Sequence, residues 1–319
     1  MSAKTCGVVG VMSLVLFLSA APLSAEPEPE MDEAKLEASV DSWDRLGVDE
    51  PRKRARAELA IFQLYHGLFF GYQSCSIFDC DDPDIVNLLA VSGAGIGLGG
   101  SFLVARDGIT SGQARAINSG SLWGAWTGFA SAGLLGDYSR PTILRTMMMT
   151  QAAGTAAGYL LSEQLRPTGG DVRLVNHAGF WSGIYYLAIT DGILQIDQTD
   201  RSLATGLLVS TYLGAILGSQ VAIERPMSAA RVYLITVSGI LGAHAGAAIA
   251  YSGESNNALN TRLTAATTLI GITTGLGVGA VLTRELDQDE PAYQRANMSF
   301  SMIPTNDGDG VIGSLSGHF

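Results

Sequence analysis

From about residue 58 onward the chain alternates apolar stretches of membrane length with short polar turns. Stretches 85–105, 116–136, 202–223, 232–253 and 263–283 contain no Asp, Glu, Lys or Arg. At about 1.5 Å rise per residue, roughly 20 helical residues cross a hydrocarbon core of roughly 30 Å. Stretches 146–162 and 174–190 are shorter but usable, and 59–74 is an eighth candidate. Runs such as "TMMMTQAAGTAAGYLLSE" do not alternate polar and apolar residues, so they predict helices and disfavour the strands of an outer-membrane β-barrel.

The stretches repeat. Arg115, Arg173 and Arg231 stand 58 residues apart, and Asn118 and Asn176, like Trp123 and Trp181, keep the same offset. Companion stretches open near Asp84, Thr142, Asp200 and Ala258, so about three and a half units of 58 residues fill 84–284. A fixed period of this kind marks stacked supersecondary units, here helical hairpins.

Each of the eight stretches carries a GxxxG spacing: Gly67 and Gly71, Gly95 and Gly99, Gly120 with Gly124 and Gly128, Gly154 and Gly158, Gly179 and Gly183, Gly214 and Gly218, Gly242 and Gly246, and Gly271 with Gly275 and Gly279. In a helix exposed to water each glycine costs about 1 kcal/mol against alanine. In lipid, helices associate by close backbone contact, which strips of small residues permit. These glycines are expected to be packing seams.

The two ends differ from the middle. Lys4, an apolar run from Val8 to Leu18 and the small-residue ending at Ala25 form the pattern of a secretory signal peptide over 1–25. An acidic arm follows over 26–57, with ten Asp and Glu in 26–51 and a short amphipathic pattern at Leu36, Val40, Trp43 and Leu46. The repeat domain occupies 58–284, and "NMSFSMIP", "NDGDG" and "VIGSLSGHF" in the tail 285–319 predict a β-hairpin. Its final strand, ending at Phe319, resembles the C-terminal signal of outer-membrane proteins.

Composition agrees with a membrane setting: 15% of the 319 residues are charged and 47% hydrophobic, against roughly 25% charged in soluble domains. The net charge of -11 comes with no basic stripe, so nucleic acid is not an expected partner. Beyond the leader, Cys75 and Cys80 are the only cysteines. In an exported chain they predict a local disulfide. The histidines His66, His177, His244 and His318 share no ligand spacing, and no metal is expected.

Chemistry is sparse. "GAGIGLGG" lacks the strand and ribose-binding acid of a dinucleotide fingerprint, no nucleophile-elbow motif occurs, and no catalytic residue or cofactor is expected. Asn118, Asn176 and His244 are the candidates for a polar cavity; their structural role is interhelical hydrogen bonding. Asp107, Asp171 and Arg173 share repeat positions and define a rival enzymatic site.

With eight spans, the side holding the arm carries most of the arginines, whereas the other has Arg140, Arg145, Arg201 and Arg262. A cleaved leader and the positive-inside rule then conflict, which favours the outer membrane over the inner one. The expectation is an all-α integral protein of a bacterial envelope, structural or pore-like and homo-oligomeric, surrounded by membrane lipid, with an envelope partner not named by the sequence. A solute transporter with a cavity at the repeat interface, or a β-barrel, is the alternative.

Overall fold

The computed structural model of the chain describes residues 49–78, 80, 82–252, 261–287, 297–304 and 311–318. The leader, the arm up to residue 48 and Phe319 lie outside them. The chain divides into two units between Ala55 and Arg56. Among the described residues eight α-helices follow one another: α1 (Asp49–Phe78), α2 (Pro83–Val104), α3 (Ser111–Leu135), α4 (Arg140–Leu165), α5 (Gly169–Leu187), α6 (Asp200–Glu224), α7 (Ala229–Ser252) and α8 (Thr261–Leu282). The described part of the repeat domain is thus helical, and the barrel alternative is set aside. Residues 49–57, which the charge pattern assigns to the arm, are the first turns of α1.

Local chemistry fixes the helix starts at the repeat offset. Thr110 caps α3 by accepting from the Gln113 N–H while Gln113 bonds back to Thr110 N–H. Thr168 and Asp171 form the same reciprocal box on α5, 58 residues later. Pro83 occupies the first turn of α2, where its missing N–H costs nothing. Gly136 ends α3 with φ of 71°, a left-handed geometry that glycine adopts freely.

Successive helices pair as antiparallel hairpins, α1 with α2, α3 with α4, α5 with α6 and α7 with α8. Their contact lines are built from glycine. A Cβ placed on Gly158 would lie 2.6 Å from Ala116 O, one on Gly124 2.7 Å from Gln151 Cα, and one on Gly242 2.8 Å from Gly271 C. In the third hairpin Gly214 faces Ala178 O and Gly218 faces the Ala178 side chain. All the glycines predicted for seams meet a neighbour in this way except two. Gly95 and Gly99 have nothing within 4 Å, and α2 instead turns Gly93 and Gly97 toward α1, where they meet Gly67 and Gln63. The run "GAGIGLGG" contains both registers, and the helix rotation that buries Gly93 points Gly95 outward.

Among the described residues four helices are long and apolar enough to cross a membrane: α2, α6, α7 from Ala229 to Tyr251, and α8. The other four do not meet that hydropathy, and some of their polar side chains serve contacts between hairpins. α5 continues through a π-turn at Ala188–Ile193. Beyond α8 a 3-10 turn spans Arg284–Asp287, and the backbone of Asn297–Pro304 runs antiparallel to that of Val311–His318.

Candidate functional site

Polar side chains on α1, α3 and α5 reach forward to the next hairpin, one repeat on. Gln63 Nε2 donates to Asn118 Oδ1 at 3.0 Å and to Ser121 Oγ at 3.2 Å. Ser121 shares a further 2.7 Å hydrogen bond with Thr155 of α4. In the next interface Asn176 Oδ1 accepts from Ser119 Oγ at 2.5 Å and from Trp123 Nε1 at 2.8 Å. His177 bonds Thr236 of α7 in the third. Asn118 and Ser121 are buried, so their pairing removes a desolvation cost that would otherwise remain.

A second row links each odd helix to the even helix of the following hairpin. Gln151 Nε2 donates to His66 Nδ1 at 3.0 Å, Trp126 Nε1 donates to Thr211 Oγ1 at 3.3 Å, and the Tyr185 and Thr273 hydroxyls pair at 2.5 Å. The arginines at the sparsely charged end follow the same rule. Arg145 and Arg201 donate to the Ser76 and Leu134 carbonyls at 2.7 and 2.9 Å, Arg262 donates to Gln195 at 3.1 Å, and Arg140 bonds the Tyr72 hydroxyl. The two carbonyls belong to the C-terminal turns of α1 and α3, which have no partner within their own helix. Several polar side chains of α1, α3, α4 and α5 are thus turned toward other helices, while Arg52, Lys53, Arg54 and Arg56 at the start of α1 and Glu163 and Gln164 near the end of α4 are exposed.

No family model, curated protein or solved structure matches this chain.

The three residues proposed to share a polar cavity do not come together. Asn118 lies between α1 and α3 and Asn176 between α3 and α5, each already accepting hydrogen bonds. His244 is exposed on α7, with Nδ1 2.8 Å from Ile240 O in its own helix. The rival enzymatic set is likewise engaged separately: Asp107 pairs with Arg106 on the surface, Asp171 caps α5, and Arg173 donates to Ala229 O at 3.1 Å. Among the described residues no three His, Cys, Asp or Glu side chains gather at metal-ligand distance.

The cavity at a repeat interface lies elsewhere. A groove of about 710 Å³ opens between α6 and α8 with α5 and α7 as its floor. Leu174, Leu213, Leu217, Val232, Ile235 and Leu276 make it apolar. Asn118, Asn176 and His244 are not among its walls.

Cys75 and Cys80 stand as thiols and are not bridged in this structure. Cys80 N–H donates to Cys75 O at 3.2 Å.

The forward-reaching Gln63, and Gln151 and Thr155 of α4, which bond His66 and Ser121, do not stand out in the sequence. One signal was present: Ser121 follows Gln63 by the repeat length. The chemistry changes from one copy to the next, however, because Asn176 gives way to Leu234 one unit later. The Trp181 indole N–H, which corresponds to that of Trp123, is buried without a partner.

Proposed function

We propose that this chain is a structural integral protein of a bacterial envelope membrane, built from eight spans in four glycine-seamed hairpins and not enzymatic. The observation that carries this reading is the fate of the polar groups: Gln63, Asn118, Ser121, Asn176 and His177 pair with the neighbouring hairpin, and of the five only His177 lines the groove between α6 and α8. A bundle whose polar groups close its own interfaces supports a structural role over solute transport or a pore. Purified protein in liposomes is expected to leave the permeability to K⁺, Cl⁻ and glucose at the level of empty vesicles. Protein-dependent flux of any of the three overturns the reading in favour of transport.

The acidic arm and the C-terminal β-hairpin are soluble appendages in this account, and a homo-oligomer is its proposed assembled form. The outer membrane reconciles a cleaved leader with the arginine distribution and with the C-terminal sequence pattern "VIGSLSGHF". Density-gradient separation should place the C-terminus in outer-membrane fractions. Mass spectrometry of that protein without reductant should show the disulfide Cys75–Cys80, since the two residues are already joined by a backbone hydrogen bond and exported thiols oxidise. Signal only in inner-membrane fractions contradicts the placement, and two thiols in the isolated protein contradict export.

A further inference from the structure

The groove between α6 and α8 is matched to one leaflet of a bilayer. On α5 its floor runs from Leu174 to Tyr185, about 16 Å of helix at 1.5 Å per residue. That is about half of a hydrocarbon core of roughly 30 Å. Leu213 and Leu217 on its α6 wall are exposed, so the groove opens sideways to whatever surrounds the helices.

Its two ends differ. Met227 and Ala280 close the end where α6 and α8 terminate and α7 begins. Arginines cluster beside that end. Arg225 is two residues before Met227, and Arg284 is one turn beyond Ala280; both are exposed. Arg231 donates to Ala280 O at 3.2 Å, and Arg173 donates to Ala229 O at 3.1 Å. Asp171, Glu224, Glu285 and Asp287 also stand at this end, so carboxylates match the four arginines in number; Arg173 and Arg231 are engaged by the two carbonyls, and Arg225 and Arg284 are the exposed pair. Guanidinium forks match phosphate oxygens, and the aliphatic walls match hydrocarbon.

We propose that this groove is a phospholipid site, with one acyl chain lying between α6 and α8 and the phosphate held by Arg225 and Arg284. The site rests on the membrane reading above. It gives the third and fourth hairpins, whose outer helices leave this gap, a lipid as their filler.

Gly277 provides the test. It lines the groove, and a Cβ there would have nothing within 4 Å, so Gly277→Leu fills the groove without wedging a helix contact. Gly95→Leu, equally open but on α2, is the control. Native mass spectrometry in detergent supplied with dioleoyl-phosphatidylglycerol should show one retained lipid on wild type and on Gly95→Leu. Occupancy should fall about tenfold in Gly277→Leu and in the double variant Arg225→Gln/Arg284→Gln, a change that corresponds to about 1.4 kcal/mol. Equal occupancy in wild type and Gly277→Leu, no retained lipid on wild type, or a dimer abolished by Gly277→Leu in place of bound lipid would each overturn the site. Detergent phase separation keeps the two claims apart: protein in the aqueous phase removes the membrane reading and the groove together, whereas protein in the detergent phase with unchanged lipid removes the groove alone.

Discussion

Gly124→Leu is expected to abolish recovery of folded protein. A Cβ at Gly124 would stand 2.7 Å from Gln151 Cα and closer still to Thr150 O. Both are backbone atoms of α4, so no side chain can swing aside. Leucine adds three further carbons, and only separation of α3 from α4 makes room. Ordinary overpacking costs about 1–3 kcal/mol, and displacement of a whole helix should reach the top of that range or exceed it. Gly275→Leu should behave alike, because its Cβ would lie 2.9 Å from Ser238 C. The informative contrast is Gly95→Leu, where space is open and helix propensity favours leucine by about 0.8–1 kcal/mol. Thermal unfolding in detergent should show the Gly124 variant lost, the Gly95 variant unchanged or improved, and Leu134→Ile close to wild type. Equal losses at Gly124 and Gly95 would remove the seam argument.

Asn176→Ala should have the next largest effect. The Asn176 oxygen accepts two hydrogen bonds across the α3–α5 interface, from Ser119 and Trp123, and alanine leaves both donors without it. Orphaned buried groups cost about 1–3 kcal/mol, while interhelical hydrogen bonds in membrane proteins contribute about 0.6 kcal/mol on average. A loss of about 1–2 kcal/mol is expected. A cycle with Trp123→Phe should return a coupling of about 0.5–1.5 kcal/mol by reversible unfolding. Asn118→Ala should cost less, because Gln63 keeps its bond to Ser121. Additive effects of Asn176→Ala and Trp123→Phe would show that the pair carries no structural load.

These two residues also mark how far the sequence could be read. The 58-residue spacing of Arg115, Arg173 and Arg231 exposed the hairpin repeat because helix length and turn position survive substitution. Gly124 and Gly275 were legible as seam positions because a backbone approach tolerates almost no other residue. Gly95 and Gly99 were misassigned because two glycine registers overlap in one segment, and only the rotation of α2 about its axis chooses Gly93 and Gly97. The partners of Asn118 and Asn176 were hidden for a different reason: a glutamine, a serine and a tryptophan perform equivalent reaches in different copies. Repetition of geometry does not require repetition of side-chain chemistry.

The central claim is that the polar helices α1, α3, α4 and α5 cross the membrane together with the four apolar ones. Cysteines placed singly at Asp107, Asp197 and Arg225, in a Cys75→Ser/Cys80→Ser background, separate the alternatives when membranes are labelled with an impermeant maleimide. All three positions are exposed and lie between helices. If all eight helices cross, positions 107 and 225 label from one side and 197 from the other. If only α2, α6, α7 and α8 cross, positions 107 and 197 share a side and 225 is opposite. The account predicts the first pattern, and the second would contradict it.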